Sequence, residues 1–234
     1  MNKFFHHLPR LGLFVILIGY LPYQQAIALD QVELQFVSFP KAAESNSVEL
    51  YTGEGKTIKV EIPTNNVSPS YKVARVPTWA LGESVTDEEG KSKFTTFGKA
   101  PSIAAKKQLI LVIRKGHDNS SGLTLYPIQN SETELGGGKY LLMNMSKVDI
   151  AAELSDKKLA LKPGKFSIVK PTPSSVKGVY KYCETKFHFR LKNGEVRKFF
   201  SSNWRLNDKA RSFIFFYHDP RNRKLRFHSI RDYP

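Results

Sequence analysis

The chain has 234 residues, 41% of them hydrophobic, with 36 Lys and Arg against 21 Asp and Glu for a formal net charge of +15. This length accommodates one large or two small domains, and this composition excludes a chain disordered throughout. Its one cysteine, Cys183, excludes an intramolecular disulfide, so the core alone must hold the fold.

Residues 1–28 read as a signal peptide. Lys3 and Arg10 flank the start of an apolar run, Leu11 to Leu21, and Ala26-Ile27-Ala28 supplies the small-x-small pattern of a cleavage site. An uncleaved N-terminal anchor is the alternative. No cysteine adjoins the site, so a lipoprotein anchor is not expected. No later apolar run approaches about 18 residues, so no transmembrane segment is expected after cleavage. The expected location is outside the cytoplasm: periplasm, cell surface or extracellular space.

Strand signals follow. Val32 to Phe36 alternates apolar and polar residues. Val48 to Thr52 and Thr57 to Ile62 flank Gly53-Glu54-Gly55-Lys56 and predict a hairpin ended by Pro63. Asn65-Asn66 and Ser68-Pro69-Ser70 make a turn-rich connection. Tyr71 to Val76 and Thr78 to Leu81 are short strands divided by Pro77, and residues 83–93 read as an exposed polar loop. Residues 101–107 suggest one short helical turn. Gln108 to Arg114 is a compact apolar run suited to a central strand buried on both faces. Residues 115–122 are the expected domain boundary.

Leu123 to Ile128, Lys139 to Met145, Val148 to Leu154, Lys157 to Leu161 and Phe166 to Val169 continue the strands, with turns at Gly136-Gly137-Gly138 and Pro163-Gly164. Residues 170–178 resemble a linker. Lys186 to Leu191 and Glu195 to Phe200 flank Asn193-Gly194, a pair suited to a type I′ turn. Phe213 to His218 and Lys224 to Ser229 form the last pair. The pattern predicts an all-β, immunoglobulin-like β-sandwich fold. Two consecutive units are expected, 29–116 and 120–234, with one larger sandwich as the alternative.

Motifs of known chemistry fail on context. GEGKT at 53–57 has the tail of a phosphate-binding loop, but Leu50 stands where a glycine is needed and a strand follows. His117, His188, His218 and His228 lack metal-site spacing, no G-x-S-x-G elbow occurs, and Cys183 suits a core position. No cofactor is expected. Asn66, Asn119 and Asn144 begin glycosylation triplets, which are common by chance.

A glycine turn at 136–138, an aromatic strand, Asn144-Met145-Ser146 and a hairpin closed by Leu161-x-Pro163-Gly164 follow one another in residues 136–169. This stretch resembles uncharacterised exported bacterial β-sandwich proteins. It is similar, more loosely, to immunoglobulin-like surface modules with an L-x-P-G turn before the last strand. The resemblance implies fold and export, and it carries over no catalytic residue.

Charge is uneven. Residues 170–234 hold 16 Lys and Arg against 5 Asp and Glu. Lys186, His188 and Arg190 share one strand face, and Lys224, Arg226 and His228 share another. If those strands lie in one sheet they form a surface that Arg221 and Arg223 extend, with Arg197, Lys198 and Arg205 nearby. These eight residues, Lys186, His188, Arg190, Arg221, Arg223, Lys224, Arg226 and His228, are the candidate anion-binding site. The alternative is a solvated face that opposes edge pairing. The expected function is a non-catalytic structural or interaction protein of a bacterial envelope. Its expected partner is an anionic polysaccharide or envelope surface, with no specific nucleic acid partner. The alternative is a hydrolase or other enzyme with a site not visible in sequence.

Overall fold

The computed structural model describes residues 30–41, 47–87, 90–115, 122–191 and 193–234. The expected signal peptide, His117 and the Asn119 triplet lie outside the described residues. The first eight strands are β1 (Gln31–Phe39), β2 (Ser47–Gly53), β3 (Lys56–Glu61), β4 (Tyr71–Ala74), β5 (Thr78–Thr86), β6 (Ser92–Pro101), β7 (Lys107–Arg114) and β8 (Leu123–Gln129). The helix α1 (Glu132–Leu135) lies in the connection that follows. Then come β9 (Tyr140–Asn144), β10 (Ile150–Leu154), β11 (Lys157–Leu161), β12 (Phe166–Val169), β13 (Ser175–Lys177), β14 (Tyr180–Arg190), β15 (Val196–Arg205), β16 (Arg211–His218) and β17 (Leu225–Asp232). The described residues are all-β apart from α1, and Cys183 is buried in the core.

The pairing order of β1–β8 recurs in β9–β17. Sheet I runs β4-β1-β7-β8 and sheet III runs β12-β9-β16-β17. Sheet II runs β3-β2-β5-β6, and sheet IV runs β11-β10-β14 with β15 beyond β14. In sheets I and III the first strand is parallel to the later central one, β1 to β7 and β9 to β16. The repeat reaches individual side chains. Ser38 Oγ at the end of β1 donates to the Ile62 carbonyl at 2.8 Å, and Asn144 Nδ2 at the end of β9 donates to the Leu161 carbonyl at 2.8 Å. Asn144 is fully buried, so its triplet serves packing. The strand without a counterpart is β13, which makes a two-residue hairpin with β14 over Gly178 (φ 60°) and Val179.

Side chains alternate across a strand, so a central sheet feeds two cores. On β7, Ile110 and Val112 pack with Leu50, Trp79 and Leu81 of sheet II, whereas Leu109, Leu111 and Ile113 pack with Leu141, Phe213 and Phe215 of sheet III. On β16, Phe213 and Phe215 face sheet I, while Ile214 and Phe216 meet Leu154, Cys183 and Phe187 of sheet IV. The layer order is therefore II, I, III, IV. Sheets I and III are covered on both sides, which explains why β7 and β16 are unbroken apolar runs. Each large apolar side chain so buried contributes about 1.5–3 kcal/mol.

Several sequence expectations change. The interval 115–122 connects β7 to β8, which pair antiparallel from Gln108–Gln129 to Arg114–Leu123. Sheet I therefore continues across the predicted boundary, and the chain passes to sheet III only after Gln129. Residues 83–93 are largely the exposed arms of the β5–β6 hairpin. Residues 101–107 form no helix. The carbonyls of Ile103, Ala104 and Ala105 accept from Arg75, and Gln108 Nε2 donates to Ile103 and Ala105 at 2.9 and 3.0 Å, so these carbonyls are engaged by side chains. Part of the predicted linker 170–178 is β13. The loop after β14 has three residues, closed by Leu191 N to Glu195 O at 2.8 Å, with positive φ (86°) at Gly194.

Candidate anion-binding site

The eight predicted residues do not form one surface, because β14 lies in sheet IV and β17 in sheet III. The predicted division of β14 holds: Phe187 points into the core and Lys186, His188 and Arg190 point outward. Acids accompany that outward row. Lys186 Nζ lies 2.8 Å from Glu184, which raises its pKa, and His188 Nε2 lies 3.7 Å from Glu153, too far for a hydrogen bond. Arg190 lies at a separate hollow with Asp149 and Lys162.

On β17, Leu225 and Phe227 face sheet IV, so Arg226 and His228 take the opposite side. His228 stacks on Phe39 at 5.3 Å, and burial lowers its pKa. Arg226 Nε pairs with Asp219 at 2.9 Å. Asp219 also shapes the β16–β17 turn, accepting from Arg221 N at 2.9 Å through its side chain and from Arg223 N at 2.7 Å through its carbonyl. Arg221, Arg223 and Lys224 project from that turn into solvent.

A different cluster, outside the eight predicted residues, lies where sheets III and IV part. Tyr140, Ser212 and Arg231 sit side by side at one level of sheet III, since Tyr140 pairs with Ser212 and Ser212 with Arg231. All three lie on the face toward sheet IV, in register with Leu142, Ile214 and Phe227 along their strands. With Phe227 and Ser229 of β17, and Asn203, Trp204 and Arg205 of β15, they line a cleft of about 340 Å³. Among the described residues no carboxylate lines it. Trp204 lies 5.9 Å from both the Tyr140 and Phe227 rings. Arg205 sits 3.6 Å above the Tyr180 ring.

The electrostatics of this cleft are one-sided. Among the described residues neither Arg205 nor Arg231 has a carboxylate partner, and neither the Tyr140 nor the Ser212 hydroxyl has a hydrogen-bond partner. Tyr140 is only 5% exposed and Ser212 7%. Burial, with Cys183 nearby, pushes the Tyr140 pKa up to about 12 against the opposing pull of Arg231. Tyr140 therefore remains a neutral donor at physiological pH. Sequence reasoning missed this row because its members come from three strands 19 to 91 positions apart. The available signal was a polar Ser212 at the start of the apolar run Phe213 to Phe216.

A second cleft, of about 630 Å³, opens between sheets I and III around Arg211. Arg211 is 1% exposed, and its Nε donates to Asp232 at 2.8 Å and its Nη1 to the Leu135 carbonyl at 3.1 Å. It also bonds Asn130, whose Nδ2 reaches Gln35 at 2.7 Å. These bonds tie the 130–139 connection to sheets I and III. Glu33, Glu132 and Asp232 balance Lys107 and Arg211, so this cleft has no single sign.

Among the described residues there is no group of three or more His, Cys, Asp or Glu placed to hold a metal ion, and no helix long and apolar enough to cross a membrane. Comparison of the chain with protein-family models and with curated proteins finds no match.

Proposed function

We propose that the chain is an exported, non-catalytic interaction protein of a bacterial envelope that holds an anionic polymer. It consists of two consecutive immunoglobulin-like sandwich units, β1–β8 and β9–β17, and the second unit is the binding one. The observation that carries this reading is how charge divides along the fold. Residues 30–129 hold 12 Lys and Arg against 11 Asp and Glu, whereas residues 140–234 hold 21 against 8. Two sets of strands with the same pairing order thus differ by about a dozen charges. A field of one sign confined to one end attracts polyanions and orients their approach.

Retention on an anionic matrix, eluted with a salt gradient, tests the proposal. Elution is expected to shift to lower salt when Arg221, Arg223, Lys224 and Arg226 are replaced by Gln, because screened surface charge is the attractive force. Unchanged elution of that variant contradicts it.

A further inference from the structure

We infer that the cleft between β15 and β17 is a subsite for a carboxylated sugar unit, a reading that rests on the proposed polyanion binding and names its chemistry. The repeated fold shows what this position normally holds. Four residues before Ser38 on β1 stands Leu34, and four residues before Asn144 on β9 stands Tyr140. Leu34 pairs with Gln108, and Gln108 with Gln129, just as Tyr140 pairs with Ser212 and Ser212 with Arg231. The two rows are structurally equivalent.

In sheet I the chain satisfies the row itself. Gln108 Oε1 accepts from Trp79 Nε1 at 2.9 Å, and Gln108 Nε2 donates to the Ile103 and Ala105 carbonyls. The β6–β7 connection thus covers that end of the sandwich. In sheet III the corresponding β15–β16 connection goes elsewhere. Leu206 N donates to the Lys181 carbonyl, and Ala210 O accepts from Gly138 N. Among the described residues the Ser212 and Tyr140 hydroxyls are left without hydrogen-bond partners beside Arg231.

Both residues are largely buried, but their hydroxyl oxygens keep access to the cleft and bond no described residue, so a ligand there can accept their bonds without displacing a contact within the protein. The lining selects the ligand. Arg231 suits a carboxylate, which arginine grips through two parallel bonds, whereas Arg205 is held over the Tyr180 ring. The Tyr140 and Ser212 hydroxyls suit sugar hydroxyls. Trp204 and Phe227 suit the apolar face of a sugar ring. A bare phosphate or sulfate would engage Arg231 and leave the aromatic groups unused. The volume is at the small end of ligand sites, about 300–1,000 Å³, and fits a short stretch of a chain, not a large cofactor.

The test is calorimetric titration of the purified protein with oligogalacturonate, poly-glutamate and dextran sulfate at equal ionic strength. Oligogalacturonate is expected to bind about tenfold more tightly than poly-glutamate of matched charge. Tyr140→Phe and Arg231→Gln are each expected to weaken oligogalacturonate about tenfold, the scale of one hydrogen bond or charge contact, and to leave dextran sulfate within about twofold. Tyr140→Phe keeps the ring and therefore the packing. Ligand-induced change in tryptophan fluorescence is expected to vanish in Trp204→Phe, since the other tryptophan, Trp79, is buried in the sheet I–II core. Equal affinity for oligogalacturonate and poly-glutamate overturns the sugar assignment and leaves polyanion binding standing. Variants that weaken all three ligands equally do the same. Failure to bind any of them overturns both readings.

Discussion

At the edge of the first strand set, β6 closes onto β8; at the matching edge of the second, β15 stands off from β17. The cause is side-chain size. At Gly98 on β6 an added Cβ would lie 2.4 Å from the Leu123 carbonyl oxygen, so only glycine permits that approach. On β15 the corresponding edge carries Phe199, Phe200 and Trp204. Phe200 and Trp204 reach Phe227 of β17 at 4.6 and 5.9 Å, and the two edge strands meet through rings. One topology therefore yields a sealed sandwich and an open one. The open one also carries the excess charge. A duplicated fold can keep one copy as scaffold while the other gains a surface.

The largest expected effect comes from breaking the buried ion pair at the edge of sheet III. Asp232→Ala leaves the guanidinium of Arg211 buried without its carboxylate, and the loss of one partner of a buried pair costs about 3–5 kcal/mol. Urea denaturation measures it, and Asp232→Asn, which keeps an acceptor, is expected to lose less. Next comes the sealed edge. Gly98→Ala is expected to cost about 1–3 kcal/mol through overpacking against backbone, with elution from an anionic matrix unchanged. A loss of retention in that variant would mean that the two edges are not independent.

The smallest effect separates the β17 faces. Burial lowers the His228 pKa. A histidine held neutral contributes stability that is fully present above its unfolded value of about 6.5 and is lost as pH falls through that value toward the folded one. Replacing His228 by Phe keeps a ring against Phe39 and is expected to flatten the decline of thermal midpoint below about pH 6.5. A parallel decline in both proteins would assign the acid sensitivity to other groups.

The strands were legible in the sequence because alternation and turn residues are local. The doubly buried strand β7 was readable from Gln108 to Arg114, and the face division of Lys186 to Arg190 was correct. The arrangement of sheets was not readable. Lys186 and Arg226 look equivalent along the chain, yet one lies on the outer layer and the other beside Asp219 on an inner sheet. The repeat was hidden because its matching residues differ in kind: Ser38 and Asn144 make the same bond, and Leu34 and Tyr140 hold the same place. The Tyr140–Ser212–Arg231 row exists only through pairing across three strands.

The central claim is that binding belongs to one of two similarly built strand sets. Two variants with equal loss of charge test it directly. One replaces Lys56, Lys59, Lys93 and Lys99 by Gln, and the other replaces Arg205, Arg221, Arg223 and Lys224 by Gln; all eight are exposed. Salt-gradient elution from an anionic matrix is expected to match wild type for the first variant and to fall to markedly lower salt for the second. Equal shifts in the two variants would show that retention follows net charge alone and would contradict the account.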